Sequence, residues 1–207
     1  MADRQELEFW YEFASTYSYP AAMRIAALAT RAGVAVRWRP FLLGPIFGSQ
    51  GWTDSPFNIY PTKGRYMWRD LERICEAEGL PLKLPPVCFP QNGLKAARLA
   101  LAGEAAGWTA DFSRAVYAAN FGDQKDISDD SVLGTILEKL GVDAAAALAA
   151  ANTPENKEML KSQTSEAVAR GLFGAPSFTI GKELFWGNDR LEQAIAWAAT
   201  TSRHRPG

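Results

Sequence analysis

The chain has 207 residues, of which 47% are hydrophobic and 22% charged, a composition typical of one globular domain that has room for a large insertion. Its 22 Lys and Arg residues nearly balance 23 Asp and Glu residues, and no basic run is present, which argues against nucleic acid or an anionic membrane surface as a partner. The charged N-terminus, MADRQELEF, lacks the apolar stretch of a signal peptide, and no apolar run approaches the length of a membrane span. We therefore expect a cytoplasmic protein.

The first part of the chain predicts a strand, a helix and a second strand. The segment 7–13 (LEFWYEF) is rich in aromatic residues, segment 19–33 has apolar residues at helical spacing and ends on Gly33, and segment 34–43 is strand-like again. Short connections between these elements predict a right-handed parallel unit. The ligand site of such a unit lies where the first strand ends and the helix begins, and Ser15 falls in that corner.

The middle of the chain is predicted to be mainly helical. Frequent Gly, Pro, Ser and Asn residues from 44 to 61 first predict a long loop that borders the site. Helical propensity and periodicity then predict helices over 62–79, 92–107, 110–121, 131–141, 143–151 and 154–171. The four prolines within 80–90 predict an extended connector.

The end of the chain returns to strands. APSFTI and ELFW are separated by Gly181–Lys182, which predicts a tight hairpin, and Asn188 or Asp189 begins a last amphipathic helix. The whole order predicts an α/β, thioredoxin-like fold with an all-helical insertion. We assign 1–61 and 172–207 to the two halves of the thioredoxin-like domain and 62–171 to the helical insertion domain.

Two serines in FASTYSYP, Ser15 and Ser18, have the spacing of a redox C-x-x-C pair but carry oxygen in place of sulfur. A helix start stabilises a thiolate through its unpaired N–H groups and its dipole. A serine hydroxyl cannot exchange disulfides, but it can donate a hydrogen bond to a thiolate that a ligand such as glutathione brings. The alternative is that either serine only caps the helix.

The remaining reactive side chains predict no second centre. Cys75 and Cys88 are far from any C-x-x-C spacing, and we expect both to be reduced. The single histidine, His204, lies near the end of the chain, where we expect it to be frayed and uninvolved. No cluster of His, Cys or carboxylate residues has metal-ligand spacing, so we expect no metal site.

Four segments, in the order found here, resemble the 2-hydroxychromene-2-carboxylate isomerases and the related kappa-class glutathione transferases, which have a DsbA-like fold. The segments are FASTYSYP (13–20), NIYPTKGRYMWRD (58–70), GLFGAPSFTI (171–180) and FWGNDRLE (185–192). The resemblance covers nearly the whole chain. It implies glutathione as the cofactor, an aromatic carboxylate as the substrate and a homodimer as the assembly.

The resemblance also assigns roles to individual residues. Ser15 is implied to be catalytic and to hydrogen-bond the glutathione sulfur. Ala175 is implied to precede a cis Pro176 and to pair through its backbone with the cysteinyl unit of glutathione. Asn188 and Asp189 match positions that hold the γ-glutamyl end, although Asp189 on its own would be read as a helix cap.

Two further residues, Asn58 and Lys63, fall in a segment that lines the site of the relatives. We expect them to contact the substrate, as polar and cationic groups that would hold its carboxylate and the developing enolate. A contact with glutathione is the alternative for either residue. The alternative for Lys63 is a solvated residue in the first turn of a helix.

The function implied by the resemblance is glutathione-dependent cis/trans isomerisation in aromatic hydrocarbon catabolism. It interconverts 2-hydroxychromene-2-carboxylate and trans-o-hydroxybenzylidenepyruvate by reversible addition of a thiolate to a conjugated carbon. Two alternatives stay open: a kappa-like transferase or peroxidase, and a non-catalytic module that binds glutathione or peptides. A disulfide oxidoreductase is disfavoured because Ser15 and Ser18 carry no sulfur.

Overall fold

The structure is a computed structural model that describes residues 6–84, 86 and 88–201, with Thr201 described by its backbone alone. His204 lies outside the described residues. The strands are β1 (Leu7–Tyr11), β2 (Val36–Pro40), β3 (Ser177–Ile180) and β4 (Glu183–Trp186). The α-helices are α1 (Ser18–Ala32), α2 (Leu43–Ser49), α3 (Pro56–Ile59), α4 (Pro61–Glu78), α5 (Leu94–Ala102), α6 (Thr109–Tyr117), α7 (Asp130–Lys139), α8 (Ala144–Ala151), α9 (Pro154–Ala169) and α10 (Leu191–Thr201). A π-helix (Ala118–Gly122) follows α6, and a 3-10 helix (Asn188–Arg190) precedes α10.

The four strands form one mixed sheet in the order β2-β1-β3-β4. Strand β1 pairs in parallel with β2 and antiparallel with β3, and β3 pairs antiparallel with β4. Because β1 lies inside the sheet and is covered on both faces, four of its five residues are buried. The predicted strand–helix–strand start and the strand–strand–helix end are both present.

Aromatic side chains lock the central strand into the core. Phe9 stacks on Phe178 of β3 with ring centroids 5.5 Å apart and meets Trp38 of β2 edge to face at 5.0 Å. Trp10 faces the other side of the sheet, where its indole N–H donates to the Thr179 hydroxyl at 2.9 Å. Such aromatic pairs contribute about 0.5–1.5 kcal/mol each beyond the burial of their area. These contacts therefore fix the position of β1 in the sheet.

Between 62 and 171 the described residues form helices and connectors, and all four described strands lie outside this range. The division of the chain into domains at 61/62 and 171/172 stays a prediction. Among the described residues, no helix is both long and apolar enough to span a membrane.

The prediction of a long loop over 44–61 is wrong, because this segment contains most of α2 and all of α3. Leu43 and Ile46 are buried in α2 against a small cluster around Trp10. In α3, the Ser55 hydroxyl accepts a hydrogen bond from the Phe57 N–H at the helix start. The segment therefore forms helices in spite of its turn-like composition, because α2 packs against the sheet and α3 has a local cap.

The helix predicted over 110–121 ends differently from the prediction, since its last turn is the π-helix. There the Asp123 N–H reaches back to the Ala118 carbonyl at 3.0 Å. This wider turn carries Asn120, whose amide donates to the Phe13 carbonyl at 3.1 Å. Single π-turns of this kind are frequent at functional sites.

Candidate functional site

A cavity of about 790 Å³ opens where β1 ends and α1 begins. Aromatic side chains form part of its wall, namely Tyr17, Phe47, Trp52, Phe57, Tyr66, Phe89, Phe173 and Trp186. Polar side chains interrupt this apolar surface, among them those of Ser15, Asp54 and Lys63. An apolar cavity with few convergent polar groups is the usual form of a small-molecule site.

Ser15 occupies the corner of this cavity that the sequence predicts. A turn after β1 places it there, with the Ser15 N–H donating to the Glu12 carbonyl at 2.9 Å. Its hydroxyl donates to the Ala175 carbonyl at 2.9 Å and accepts from the Ser18 N–H at 3.3 Å. The oxygen therefore satisfies an N–H at the helix start, and its proton can be redirected toward a ligand.

Ser18 takes a different position from Ser15. It is the first residue of α1, it is fully buried, and it does not belong to the described cavity wall. Only the first serine of the S-x-x-S pair therefore faces the cavity. The spacing alone does not distinguish the two.

The backbone that carries Ser15 is fastened by side chains more than 100 residues away. The Tyr117 hydroxyl donates to the Glu12 carbonyl at 2.9 Å, and Asn120 of the π-helix donates to the Phe13 carbonyl. Gln91 in turn donates to the Asn120 side-chain oxygen at 2.9 Å. Sequence reasoning missed these residues, because nothing in their local pattern signals a role at a distant strand end.

The loop before β3 contains the predicted cis peptide bond between Ala175 and Pro176. Ala175 belongs to the cavity wall, whereas Pro176 lies behind it and accepts a hydrogen bond from the Gly187 N–H at 2.9 Å. The expectation of a cis Pro176 is confirmed. The structure thus brings Ala175 next to the Ser15 hydroxyl.

Asn188 and Asp189 lie in the 3-10 helix after β4, outside the described cavity wall. Asn188 is buried, and its side-chain oxygen is 3.5 Å from Nη1 of Arg24. The Asp189 side chain is 74% exposed. Burial, a hydrogen bond to Asp70 and the nearby Asp189 charge together raise the pKa of Tyr17, a residue of the wall. The Asp189 charge is therefore close enough to Tyr17 to act on its phenol.

The two residues assigned to the substrate are placed differently. Lys63 lines the cavity, with its ammonium nitrogen 5.6 Å from the Phe57 ring centroid. The Asn58 amide instead donates to Asp54, at 3.1 and 3.2 Å, and to the Phe89 carbonyl at 3.1 Å. Asn58 lies outside the wall and ties together two segments that contribute to it.

A carboxyl group in the wall, that of Glu12, was not singled out by sequence reasoning. Burial among the surrounding groups raises its pKa to about 7, and the Ala14 backbone N–H lowers it by a smaller amount. Its only sequence signal is an acidic residue at the end of an aromatic strand, which is too common to indicate a site.

The cysteine side chains lie outside the described cavity wall. Cys75 and Cys88 are both free thiols, as expected. Burial raises the pKa of Cys75 to about 11, so its thiol stays neutral at physiological pH. Among the residues described, no three His, Cys, Asp or Glu side chains group as a metal site would require.

The family model for the DSBA-like thioredoxin domain matches residues 6–195. The chain belongs to this family. This DSBA-like chain is 29% identical over 187 residues to a 2-hydroxychromene-2-carboxylate isomerase of Sphingobium xenophagum, covering 90% of this chain and 94% of that protein. It is also 26% identical over 212 residues to glutathione s-transferase kappa 2 of Caenorhabditis elegans, covering 96% and 94%.

Similarity in three dimensions agrees with the sequence comparison. A solved structure of 2-hydroxychromene-2-carboxylate isomerase matches the DSBA-like chain with a TM-score of 0.85 and 26% identity, covering 95% of this chain and 96% of that one. The predicted resemblance, the DsbA-like thioredoxin fold and the prediction of an isomerase-like enzyme are confirmed. The function is of the isomerase or glutathione transferase type.

Proposed function

We propose that the protein is a glutathione-dependent cis/trans isomerase that interconverts 2-hydroxychromene-2-carboxylate and trans-o-hydroxybenzylidenepyruvate. The observation that carries the proposal is the Ser15 hydroxyl, which lies just before α1, 2.9 Å from the Ala175 carbonyl, in the wall of a mainly apolar cavity. The relatives named as isomerases and as a kappa transferase support the reaction and the cofactor.

The cavity fits a tripeptide thiol together with an aromatic acid. Its volume of about 790 Å³ lies in the upper part of the range of about 300–1,000 Å³ typical of small-molecule sites. The Ser15 hydroxyl can donate to sulfur, and the Ala175 backbone can pair with the cysteinyl unit. When bound, glutathione supplies a thiolate whose reversible addition to the conjugated carbon frees the blocked bond to rotate.

Ser15 is the residue that keeps the sulfur ionised. Its O–H is a hydrogen-bond donor to a charged acceptor, and the unpaired N–H groups of the first turn of α1 add a favourable field. Because the turn is fastened by Tyr117 and Asn120, this donor is held in place before the ligand arrives. Ser15 therefore stabilises a thiolate and does not itself attack.

Lys63 is our candidate for the substrate carboxylate. It is the only Lys or Arg among the described residues of the cavity wall, and it lies beside Phe57, an aromatic side chain against which a ring can pack. Asn58 contributes indirectly in this proposal, by holding Asp54 and the Phe89 backbone where the wall needs them.

Asn188 and Asp189 are proposed to hold the γ-glutamyl end of glutathione. The Asp189 carboxylate is exposed near Tyr17, where it can meet an ammonium group. Asn188 is buried directly beside it at the start of the 3-10 helix. From the resemblance, we also propose that the protein is cytoplasmic, forms a homodimer and acts in aromatic hydrocarbon catabolism.

The second candidate is a kappa-like glutathione transferase or peroxidase, which would use the same thiolate irreversibly. The 26% identity to a kappa transferase over 96% of this chain favours keeping it. The two candidates differ in the fate of glutathione, which the isomerase regenerates and the transferase consumes. A non-catalytic binding module is the third alternative.

The test follows absorbance of 2-hydroxychromene-2-carboxylate with purified protein, with and without glutathione. We expect isomerisation only with glutathione, and a catalytic amount of glutathione should suffice for complete equilibration. Loss of one glutathione per turnover, or a stable conjugate, would move the assignment to the transferase. Turnover that does not need glutathione would overturn both.

A further inference from the structure

Glu12 places a carboxyl group in the same cavity wall as the Ser15 hydroxyl. The hydrogen bond from the Ser15 N–H to the Glu12 carbonyl closes a tight turn, and such turns hold their first and last α-carbons within about 7 Å. The Tyr117 hydroxyl bonds to the same carbonyl, so the Glu12 backbone is fixed from two sides. The two residues therefore lie close together along the backbone and contribute to the same cavity wall.

The Glu12 carboxyl group has no cationic partner among the described residues. Within the part of the chain that the structure describes, no Lys or Arg forms an ion pair with Glu12, and the other charged side chains of the wall are Asp54 and Lys63. Tyr117, whose hydroxyl donates to the Glu12 carbonyl, has a pKa raised well above the ordinary value by burial, so this phenol stays neutral. Glu12 is thus free to titrate between pH 6 and pH 8, where burial places its pKa of about 7.

Gly93, at the start of α5, leaves space beside this carboxyl group. A β-carbon built at Gly93 would lie 3.5 Å from Oε1 of Glu12 and 2.8 Å from the Phe13 β-carbon. The second distance is shorter than real contacts allow, so a larger residue would press on the turn. A side chain at position 93 would therefore disturb the turn that carries Glu12 and would touch its carboxyl group.

We propose that the Glu12 carboxylate accepts the thiol proton of bound glutathione and holds it while the sulfur is ionised. The inference rests on the proposed function, since it concerns the same cofactor and the same site. The S–H bond breaks, its electron pair stays on sulfur, and an O–H bond forms on Glu12. The Glu12 carboxyl group and the thiol together carry a charge of −1 before and after this transfer.

The physical reason is that two anions in one poorly hydrated corner cannot both persist. If the Glu12 carboxyl group and the glutathione thiol interact strongly, they share one proton over the range between their macroscopic pKa values. Ser15 and the start of α1 favour the negative charge on sulfur, whereas burial disfavours it on Glu12. The shared proton consequently resides on Glu12.

Proton counting tests this assignment without any substrate. Glutathione is titrated into wild type, Glu12→Gln and the control Glu183→Gln, an exposed residue of β4 outside the wall, at about pH 8, one unit above the Glu12 pKa of about 7. Thiolate is measured by its ultraviolet absorbance, and released protons by calorimetry in buffers of different ionisation enthalpy.

In wild type and Glu183→Gln, we expect thiolate to form with close to no proton released. In Glu12→Gln, we expect about one proton to be released for each thiolate formed. Glu12→Asp keeps a carboxyl group and should again retain the proton, a result that a purely structural role would not produce. Thermal unfolding of each variant checks that it is folded.

Release of about one proton per thiolate in wild type, equal to that in Glu12→Gln, would overturn the role of Glu12. It would leave the isomerase proposal intact, because that proposal needs only a bound thiolate. Failure of wild type to bind glutathione would overturn both. Proton retention without isomerase activity would support Glu12 and contradict only the proposed reaction.

Discussion

The Ser15 hydroxyl donates to the Ala175 carbonyl at 2.9 Å and so joins the start of the first helix to the cis-proline loop, 160 residues later in the chain. This bond unites the two halves of the thioredoxin-like fold at the cavity. To donate to the glutathione sulfur, the Ser15 hydroxyl must give up this hydrogen bond to Ala175.

Replacing Ser15 by alanine removes one hydrogen bond to a charged acceptor. Such a bond is worth about 1.5–3 kcal/mol, so isomerase turnover at neutral pH should fall roughly ten- to a hundredfold. The rate should recover as pH rises, because hydroxide then ionises the thiol and the start of α1 remains. A pH–rate profile measures this effect, with Ser165→Ala, an exposed residue of α9, as the matched control.

Two other profiles would contradict the role of Ser15. An unchanged profile with a loss of only about 1 kcal/mol in stability would mean that Ser15 is simply a cap. A rate that no pH restores would mean that it is a nucleophile.

Replacing Lys63 by methionine keeps an aliphatic chain in the wall but removes its cation. We expect KM for the aromatic acid to rise about tenfold, equivalent to ~1.4 kcal/mol, with little change in glutathione affinity. Lys161→Met, an exposed residue of α9, is the control. An unchanged KM, or a parallel loss of glutathione binding, would remove Lys63 from the substrate contacts.

Replacing Cys75 and Cys88 together by alanine should leave turnover per folded molecule unchanged. Neither residue belongs to the described cavity wall, and burial raises the pKa of Cys75 to about 11. Since Cys75 packs in the core, stability should fall by about 1 kcal/mol. Loss of activity while glutathione still binds would place the reactive sulfur on the protein.

Replacing Glu12 by glutamine should stabilise the protein in alkaline solution. The folded-state pKa of about 7 lies above the ordinary value of 4.5, so between these pH values the folded protein binds more protons than the unfolded chain. Wild-type stability should therefore fall as pH rises through this window and stay lower above it. The glutamine variant lacks this dependence.

Thermal unfolding of both proteins across this pH range measures the difference. The gap should be small below about pH 4.5, open toward pH 7 and then stay constant. A gap that does not change with pH would show that the Glu12 carboxyl keeps its ordinary pKa.

The sequence by itself determined the order of the elements. Strand and helix periods are local properties, so β1, α1 and the helices between 62 and 171 could be predicted from the residues that form them. Ser15 could be placed at the start of a helix after a strand for the same reason. The cis peptide bond at Pro176 was expected from the resemblance of its segment.

Only the tertiary structure decided which groups meet at the cavity. Asn58 and Asn188 turn toward protein partners, and the supports of the strand end, Tyr117 and Asn120, come from residues more than 100 positions away. Glu12 became a candidate only through its place in the cavity wall and its burial there. Long-range packing sets burial and side-chain direction, and no local period of a sequence encodes either.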